Sequence, residues 1–214
     1  MRIYITRHSK TLWNEEKRLQ GRLDSPLTKD GIENARALKK YLDEISLKFD
    51  YVYSSPIPRA YETACLLFDQ SQVITDERLM EMNFGDFEGQ KISDLLAKKD
   101  QLYDQLWNHP ELFDRIPHGE SYDEVIERVK SFLRDLQKLK SDSQIMIVTH
   151  GMYFVVLMAV IMNLAKKDFV KINQQIVEGC SLTCVDEVDG HYQVVYYNDY
   201  HFLPHVMHAS FSKS

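Results

Sequence analysis

The chain has 214 residues, 44% of them hydrophobic and 27% charged, and a net charge of −6. This length suits one large domain or a domain with an insertion, and the composition excludes a disordered chain. The acidic balance argues against a nucleic-acid binder working through a broad basic face, but it leaves room for a small cationic pocket.

Three cysteines, Cys65, Cys180 and Cys184, fit a reducing cytoplasm better than a disulfide framework. Cys180 and Cys184 read as small buried hydrophobes in a strand-like stretch. Only four uncharged residues separate Arg2 from Arg7, too few for a secretory leader. A cytoplasmic protein is the expectation.

In chain order, residues 2–6 read as a first strand that delivers Arg7-His8. Residues 11–27 are polar and loop-like. Thr28 is a plausible N-cap for a helix with Ile32, Ala35, Leu38, Tyr41, Leu42 and Ile45 at helical period. Tyr51-Val52-Tyr53-Ser54 is a second strand, and a Pro-containing turn leads into a helix with Arg59. Val73-Ile74 is a short third strand. Residues 91–118 hold helical fragments around Ile92-Leu96 and Leu102-Trp107 and read as an insertion over one end of the sheet. Ser121-Tyr122-Asp123-Glu124 opens a long helix to about Leu139.

Ile145-Met146-Ile147-Val148-Thr149 is a strand that runs into His150-Gly151. The apolar run from Met152 to Met162 is far shorter than the ~20 residues a bilayer needs, so it reads as a buried helix. Two strand-like runs around Asp189-Gly190 predict an antiparallel hairpin. Strands alternating with helices predict one domain over residues 1–214, a three-layer α/β/α with a mixed, mostly parallel sheet.

Two apolar strands ending in histidine are the most informative pattern. Ligands bind at the carboxyl ends of strands in open α/β sheets, so His8 and His150 are expected at one site. Arg7 and Arg59 also follow strands, and guanidinium forks onto phosphate oxygens. Two imidazoles with arginines beside them suit phosphate chemistry. Neither histidine has an adjacent ligand that would make a metal site. His201, His205 and His208 have helical spacing, but Pro204 interrupts it and a non-metal tail is expected. P-loop, nucleophile-elbow, dinucleotide and Cys-phosphatase signatures are absent.

Ordered blocks from residue 2 to about 160 resemble the histidine phosphatase superfamily, which includes cofactor-dependent phosphoglycerate mutases. They are Arg7-His8, Thr11-Leu12-Trp13-Asn14, the stretch from Leu19-Gln20-Gly21-Arg22 to Thr28, Ser54-Ser55-Pro56 with Arg59, Leu79-Met80-Glu81 with Phe84-Gly85-Asp86-Phe87-Glu88-Gly89, His118-Gly119-Glu120-Ser121, and Thr149-His150-Gly151. The resemblance implies the phosphoglycerate mutase-like fold and a role for each matching residue. His8 would be the nucleophile that becomes phosphohistidine. Arg7, Arg59 and His150, with Gly151, would complete the phosphate pocket, and Asn14 would also contact phosphate. Glu81 would protonate the leaving oxygen, keeping its proton through burial or the phosphate's charge. Gln20 and Gly21 would line the substrate entrance.

Relatives usually read Arg-His-Gly-Glu where this chain has Arg7-His8-Ser9-Lys10. Ser9 brings a side chain where glycine is usual, and Lys10 reverses a charge. Lys10 is therefore expected to help hold a more anionic substrate. The segment after Glu81 looks like the phosphatase branch. A phosphomonoesterase acting on a small phosphorylated metabolite, without metal or cofactor, is the first expectation. A mutase-type phosphotransferase and a non-catalytic phosphate-binding module are the alternatives. No nucleic-acid or membrane partner is expected, and monomer and homodimer remain open. Residues 91–118, His118 and Tyr196, Tyr197, Tyr200 and Phe202 are candidates for shaping the pocket.

Overall fold

The computed structural model describes residues 1–173 and 177–206. Six strands form one sheet in the order β3-β2-β4-β1-β5-β6. They are β1 (Arg2–Arg7), β2 (Tyr51–Ser54), β3 (Val73–Thr75), β4 (Gln144–Thr149), β5 (Leu182–Val188) and β6 (His191–Asp199). The first four in this sheet order run parallel, while β5 and β6 are antiparallel and form the predicted hairpin. The mixed sheet therefore agrees with the sequence reading.

Helices α1 (Leu12–Glu15), α2 (Lys29–Glu44), α3 (Pro58–Leu67), α4 (Ile92–Ala97), α5 (Gln101–Asn108), α6 (Tyr122–Leu136), α7 (Gly151–Ile161) and α8 (Val170–Asn173) complete the fold. Side chains alternate across the sheet, so each strand feeds two cores. Ile3, Ile5, Ile145 and Ile147 pack with Val125, Val129 and Phe132 of α6 and with α7. Tyr4, Met146 and Val148 face Ala35, Leu38 and Leu42 of α2 and Ala60, Ala64 and Leu67 of α3. Burying each large aliphatic side chain contributes ~1.5–3 kcal/mol before entropy is counted. Both faces of the central strands are covered, hence their near-continuous apolar runs.

Helix α2 starts where Thr28 Oγ1 accepts the Gly31 N–H, and α6 where Ser121 and Glu124 form a capping box. Helix α6 stops at Leu136, one turn short of the expected Leu139, because the next N–H groups close tight turns onto the last carbonyls. The stretch read as loop contains α1, a single turn capped by Thr11 and Asn14. It buries no residue of its own, so it leaves no apolar period to read. Cys180 precedes β5 in a positive-φ turn, while Cys184 lies within the strand, yet both are buried in the same core. No helix among the described residues is long and apolar enough to cross a membrane.

Candidate active site

Strands β1 and β4 are hydrogen-bonded neighbours in parallel register, with Arg7 opposite Thr149. Each chain leaves the sheet at the next residue. The His8 N–H bonds the Thr149 carbonyl at 2.8 Å, and the His8 and His150 ring centroids lie 5.1 Å apart. Both imidazoles are buried, at 3% and 0% exposure. The register of one strand pair thus joins two histidines far apart in sequence.

His8 Nδ1 lies 2.7 Å from the Ser9 carbonyl. A carbonyl can only accept, so Nδ1 carries the proton and the lone pair is on Nε2. Nε2 in turn receives the Arg59 Nε–H at 3.2 Å. Burial, followed by the Arg59 and Arg7 charges, holds the His8 pKa well below its usual value. The ring is therefore a neutral imidazole with a directed lone pair, the form a nucleophile requires. His150 Nε2 lies 2.7 Å from Ser55 Oγ, and its Nδ1 is buried with no partner among the described residues. Burial and then Arg59 and His8 also push its pKa well down.

These depressed values make stability depend on pH. In the folded protein both histidines stay neutral below ~6.5, where unfolded histidine takes a proton. The unfolded state then binds more protons, so stability falls as pH drops through 6.5. The expected slope is about 1.4 kcal/mol per pH unit for each histidine. Urea midpoints between pH 7 and 5.5 check it: a flat profile, or a slope unchanged in His8→Gln with His150→Gln, would contradict it.

Arg59 is fully buried in the first turn of α3. Its Nη2 bonds the Gly21 carbonyl at 2.7 Å, and its Nη1 bonds the Leu23 carbonyl at 3.0 Å and Asp24 Oδ1 at 3.1 Å. Burial lowers its pKa, and the carboxylates of Glu81 and Asp24 oppose that. Arg7 Nη1 bonds the Val177 carbonyl at 3.0 Å, while its Nε is buried and unpartnered among the described residues. Burial dominates its depressed pKa against Glu81 and Glu178. A phosphate oxygen would satisfy that Nε–H.

Glu81 is 4% exposed. Its Oε1 accepts from the N–H groups of Met82 (2.9 Å) and Tyr153 (2.8 Å), and Oε2 from Met152 (3.0 Å). The Met152 and Tyr153 donors are free N–H groups at the α7 N-terminus, which also carries His150 as its N-cap. One helix start thus positions both the acid and the second histidine. A Cβ on Gly151 would lie 3.5 Å from Arg7 Nε and 3.8 Å from Glu81 Oε2, so glycine keeps the space between them open.

Asn14 closes the α1 cap by accepting from the Thr11 N–H at 3.0 Å. Gln20 is buried between Thr11 Oγ1 at 2.9 Å and Ser25 Oγ at 3.1 Å. Gly21 packs so closely that a Cβ would meet Glu88 Oε1 at 2.3 Å. Ser9 is fully buried, its hydroxyl donating to the Gly31 carbonyl at 2.6 Å. Lys10 Nζ pairs with Glu15 at 2.8 Å and Asp30 at 3.4 Å, so its charge is engaged at the start of α2 rather than with the two imidazoles.

His118 is exposed and pairs with Asp86 at 2.8 Å. The 109–120 stretch reaches the acid loop through Gly85, whose positive φ and 2.1 Å Cβ clearance to the Pro117 carbonyl demand glycine. Tyr196 and Phe202 pack on the α2 and α3 core and Tyr197 against Phe154, closing the layers. His205 bonds Glu33 at 2.7 Å, and His208 lies outside the described residues. No group of three His, Cys, Asp or Glu side chains among the described residues is arranged to hold a metal ion.

Three contributors, two of them within the quoted motif blocks, were given no role from the sequence. Ser55 steadies His150, and its place after β2 was the available signal. Glu88 accepts from Arg22 N–H (2.8 Å) and Phe84 N–H (3.1 Å) on Oε1, and from Leu23 N–H (2.6 Å) on Oε2. It ties the 20–24 loop around Arg59 to the loop carrying Glu81. Arg128, bonded to the Met80 carbonyl at 2.6 Å and to Glu120, braces the same loop from α6.

A buried neutral imidazole with a second one beside it, two arginines and a buried carboxyl has the parts for phosphoryl transfer through histidine. The model of the histidine phosphatase superfamily (branch 1) matches residues 3–200. A putative phosphoserine phosphatase 2 of Hydrogenobacter thermophilus is 41% identical over 70% of this chain and 73% of its own length. A probable phosphoglycerate mutase GpmB of Yersinia pestis is 32% identical over 87% of this chain and 85% of its own. The solved structure of Bacillus stearothermophilus YhfR superposes with a TM-score of 0.86 at 29% identity, covering 94% of this chain and 98% of that one. Motif order, sheet topology and these likenesses agree, and the chain is a member of the histidine phosphatase superfamily, branch 1.

Proposed function

We propose that this chain is a phosphomonoesterase that hydrolyses a small phosphorylated metabolite through a phosphohistidine on His8. The single observation that supports this most is the neutral imidazole with Nδ1 on the Ser9 carbonyl and its Nε2 lone pair under Arg59. An incoming phosphate competes with that lone pair for the Arg59 Nε–H. Once the guanidinium turns to a phosphoryl oxygen, Nε2 is free to attack phosphorus.

The first step forms the Nε2–P bond and breaks the P–O bond to the leaving group. Arg7 and Arg59 offset the charge on the equatorial oxygens, neutral His150 adds a hydrogen bond there, and Asn14 adds a contact at the phosphate. Glu81 gives its proton to the departing alkoxide. In the second step water attacks phosphorus and returns a proton to the Glu81 carboxylate. The N–P bond breaks, and inorganic phosphate leaves with His8 neutral again. Each residue acts without a metal ion.

Water is favoured over a bound hydroxyl as acceptor by the phosphatase-like segment after Glu81. The likeness to a probable phosphoglycerate mutase supports the second reading, phosphoryl return to another hydroxyl of the same substrate. A panel of metabolite phosphates assayed in EDTA separates them. Phosphate release undiminished by EDTA is the expected result. Interconversion of 2- and 3-phosphoglycerate with a bisphosphate primer and no net phosphate release would replace hydrolase by mutase. Full loss of activity in EDTA would contradict the metal-free route.

A further inference from the structure

The two oxygens of Glu81 are not equivalent. Oε1 accepts two N–H groups, from Met82 at 2.9 Å and Tyr153 at 2.8 Å, so both of its lone pairs are used. Oε2 accepts one, from Met152 at 3.0 Å, and keeps a second lone pair. A Cβ on Gly151 would lie 3.8 Å from Oε2 and 3.5 Å from Arg7 Nε, so Oε2 borders the space beside that arginine. The proton that goes to the leaving oxygen therefore sits on Oε2, as long as the carboxyl keeps this turn.

That orientation depends on two segments, the loop around Glu81 and the first turn of α7. Arg128, on α6, touches both. Its Nη1 donates to the carbonyls of Arg78 (2.7 Å) and Met80 (2.6 Å), before Glu81 in the chain. Its Nε and Nη2 each lie 3.2 Å from Glu120, whose Oε2 accepts the Asn83 N–H at 2.8 Å, after Glu81. Its guanidinium carbon stands 5.0 Å from the ring centroid of Tyr153, the residue whose N–H holds Oε1. The side chain is only 13% exposed, so its donors are directed into the protein rather than into water.

We propose that Arg128 is a positioning residue for the proton donor: it ties the loop on both sides of Glu81 to Tyr153 and so keeps Oε2 turned to the leaving oxygen. This rests on the role given to Glu81 above. Arg128 acts through that carboxyl and not on the substrate. The planar fork suits the task, because one ammonium cannot span two carbonyls, a carboxylate and a ring face together.

The test compares two leaving groups. The alkoxide of glycerol 3-phosphate needs a proton as the P–O bond breaks, whereas the phenolate of p-nitrophenyl phosphate leaves without one. A misplacement of about 1 Å can cost about 10²-fold, so Arg128→Met should lower kcat/KM for glycerol 3-phosphate by about that factor. The value for p-nitrophenyl phosphate should be nearly unchanged. Arg128→Lys should lower the alkyl-to-aryl ratio less, and it carries the comparison if Arg128→Met yields no folded protein. Glu81→Gln should lower the ratio by about 10³-fold, and adding Arg128→Met to it should lower it no further. A ratio is independent of the folded fraction, so partial misfolding does not mimic the effect. If Glu81→Gln lowers the ratio but the Arg128 variants leave it unchanged, or if the double variant falls further, the assignment is overturned and the proton donor stands. A ratio unchanged in Glu81→Gln, or a wild type that hydrolyses the aryl ester alone, overturns both. Turnover of no phosphate ester at all overturns the phosphatase reading with them.

Discussion

Replacing His8 with alanine should lower kcat for phosphate release by about 10⁴-fold or more, because no other group can take its place as nucleophile. Nε2 is the ring nitrogen that keeps a lone pair, since Nδ1 carries the proton donated to the Ser9 carbonyl. His150 is 5.1 Å away between centroids but differs in every partner, with Nε2 on Ser55. Acid-quenched reaction with a ³²P-labelled ester should leave an acid-labile, base-stable label on the peptide containing residue 8, and none on the alanine protein. Label retained in His8→Ala, or turnover within tenfold of wild type, would remove the phosphohistidine route.

Arg59→Ala should lower kcat/KM by about 10³-fold and also destabilise the fold. The two losses have separate causes. The catalytic loss comes from a phosphate-facing cation at His8 Nε2. The structural loss comes from the carbonyls of Gly21 and Leu23 and the carboxylate of Asp24, which would lose their donor. A buried acceptor left unpaired costs about 1–3 kcal/mol, seen as a lower urea midpoint. Arg59→Lys should remain about 10²-fold below wild type, because one ammonium cannot span the loop carbonyls and His8 together. Lysine restoring activity to within a few-fold would show that only the charge matters there.

Much of the architecture was legible because it is written in short-range pattern. Alternation in Ile3-Tyr4-Ile5 and in residues 145–148 marked strands feeding two cores, and Thr28 and Ser121 marked helix starts that the structure keeps. The α6 end was overread because Leu139 continues the apolar period past the last helical residue. Helix α1 was missed because one capped turn has no period at all.

Of the residues named from motif order, the structure brings Arg7, His8, Arg59, Glu81 and His150 together at the carboxyl ends of β1 and β4, where parallel pairing sets Arg7 opposite Thr149. Lys10 shows the boundary of such reading. Its position two residues after His8 suggested a pocket cation, yet two carboxylates, Glu15 and Asp30, hold it. Proximity along a chain does not say which way a long side chain turns.

By itself the sequence determined the layer order, the mixed sheet, and the presence of two histidines and two arginines at strand ends, because backbone propensity and apolar period are local. Only the tertiary structure decided what those groups are paired with. It set Arg59 in a cage of loop carbonyls, Glu81 on the N-terminus of α7, His150 on Ser55, and Glu88 as the tie between two loops. The physical reason is burial: a polar group removed from water must take whichever partner the fold brings within hydrogen-bond reach. For these residues that partner lies tens of positions away, where no local pattern extends.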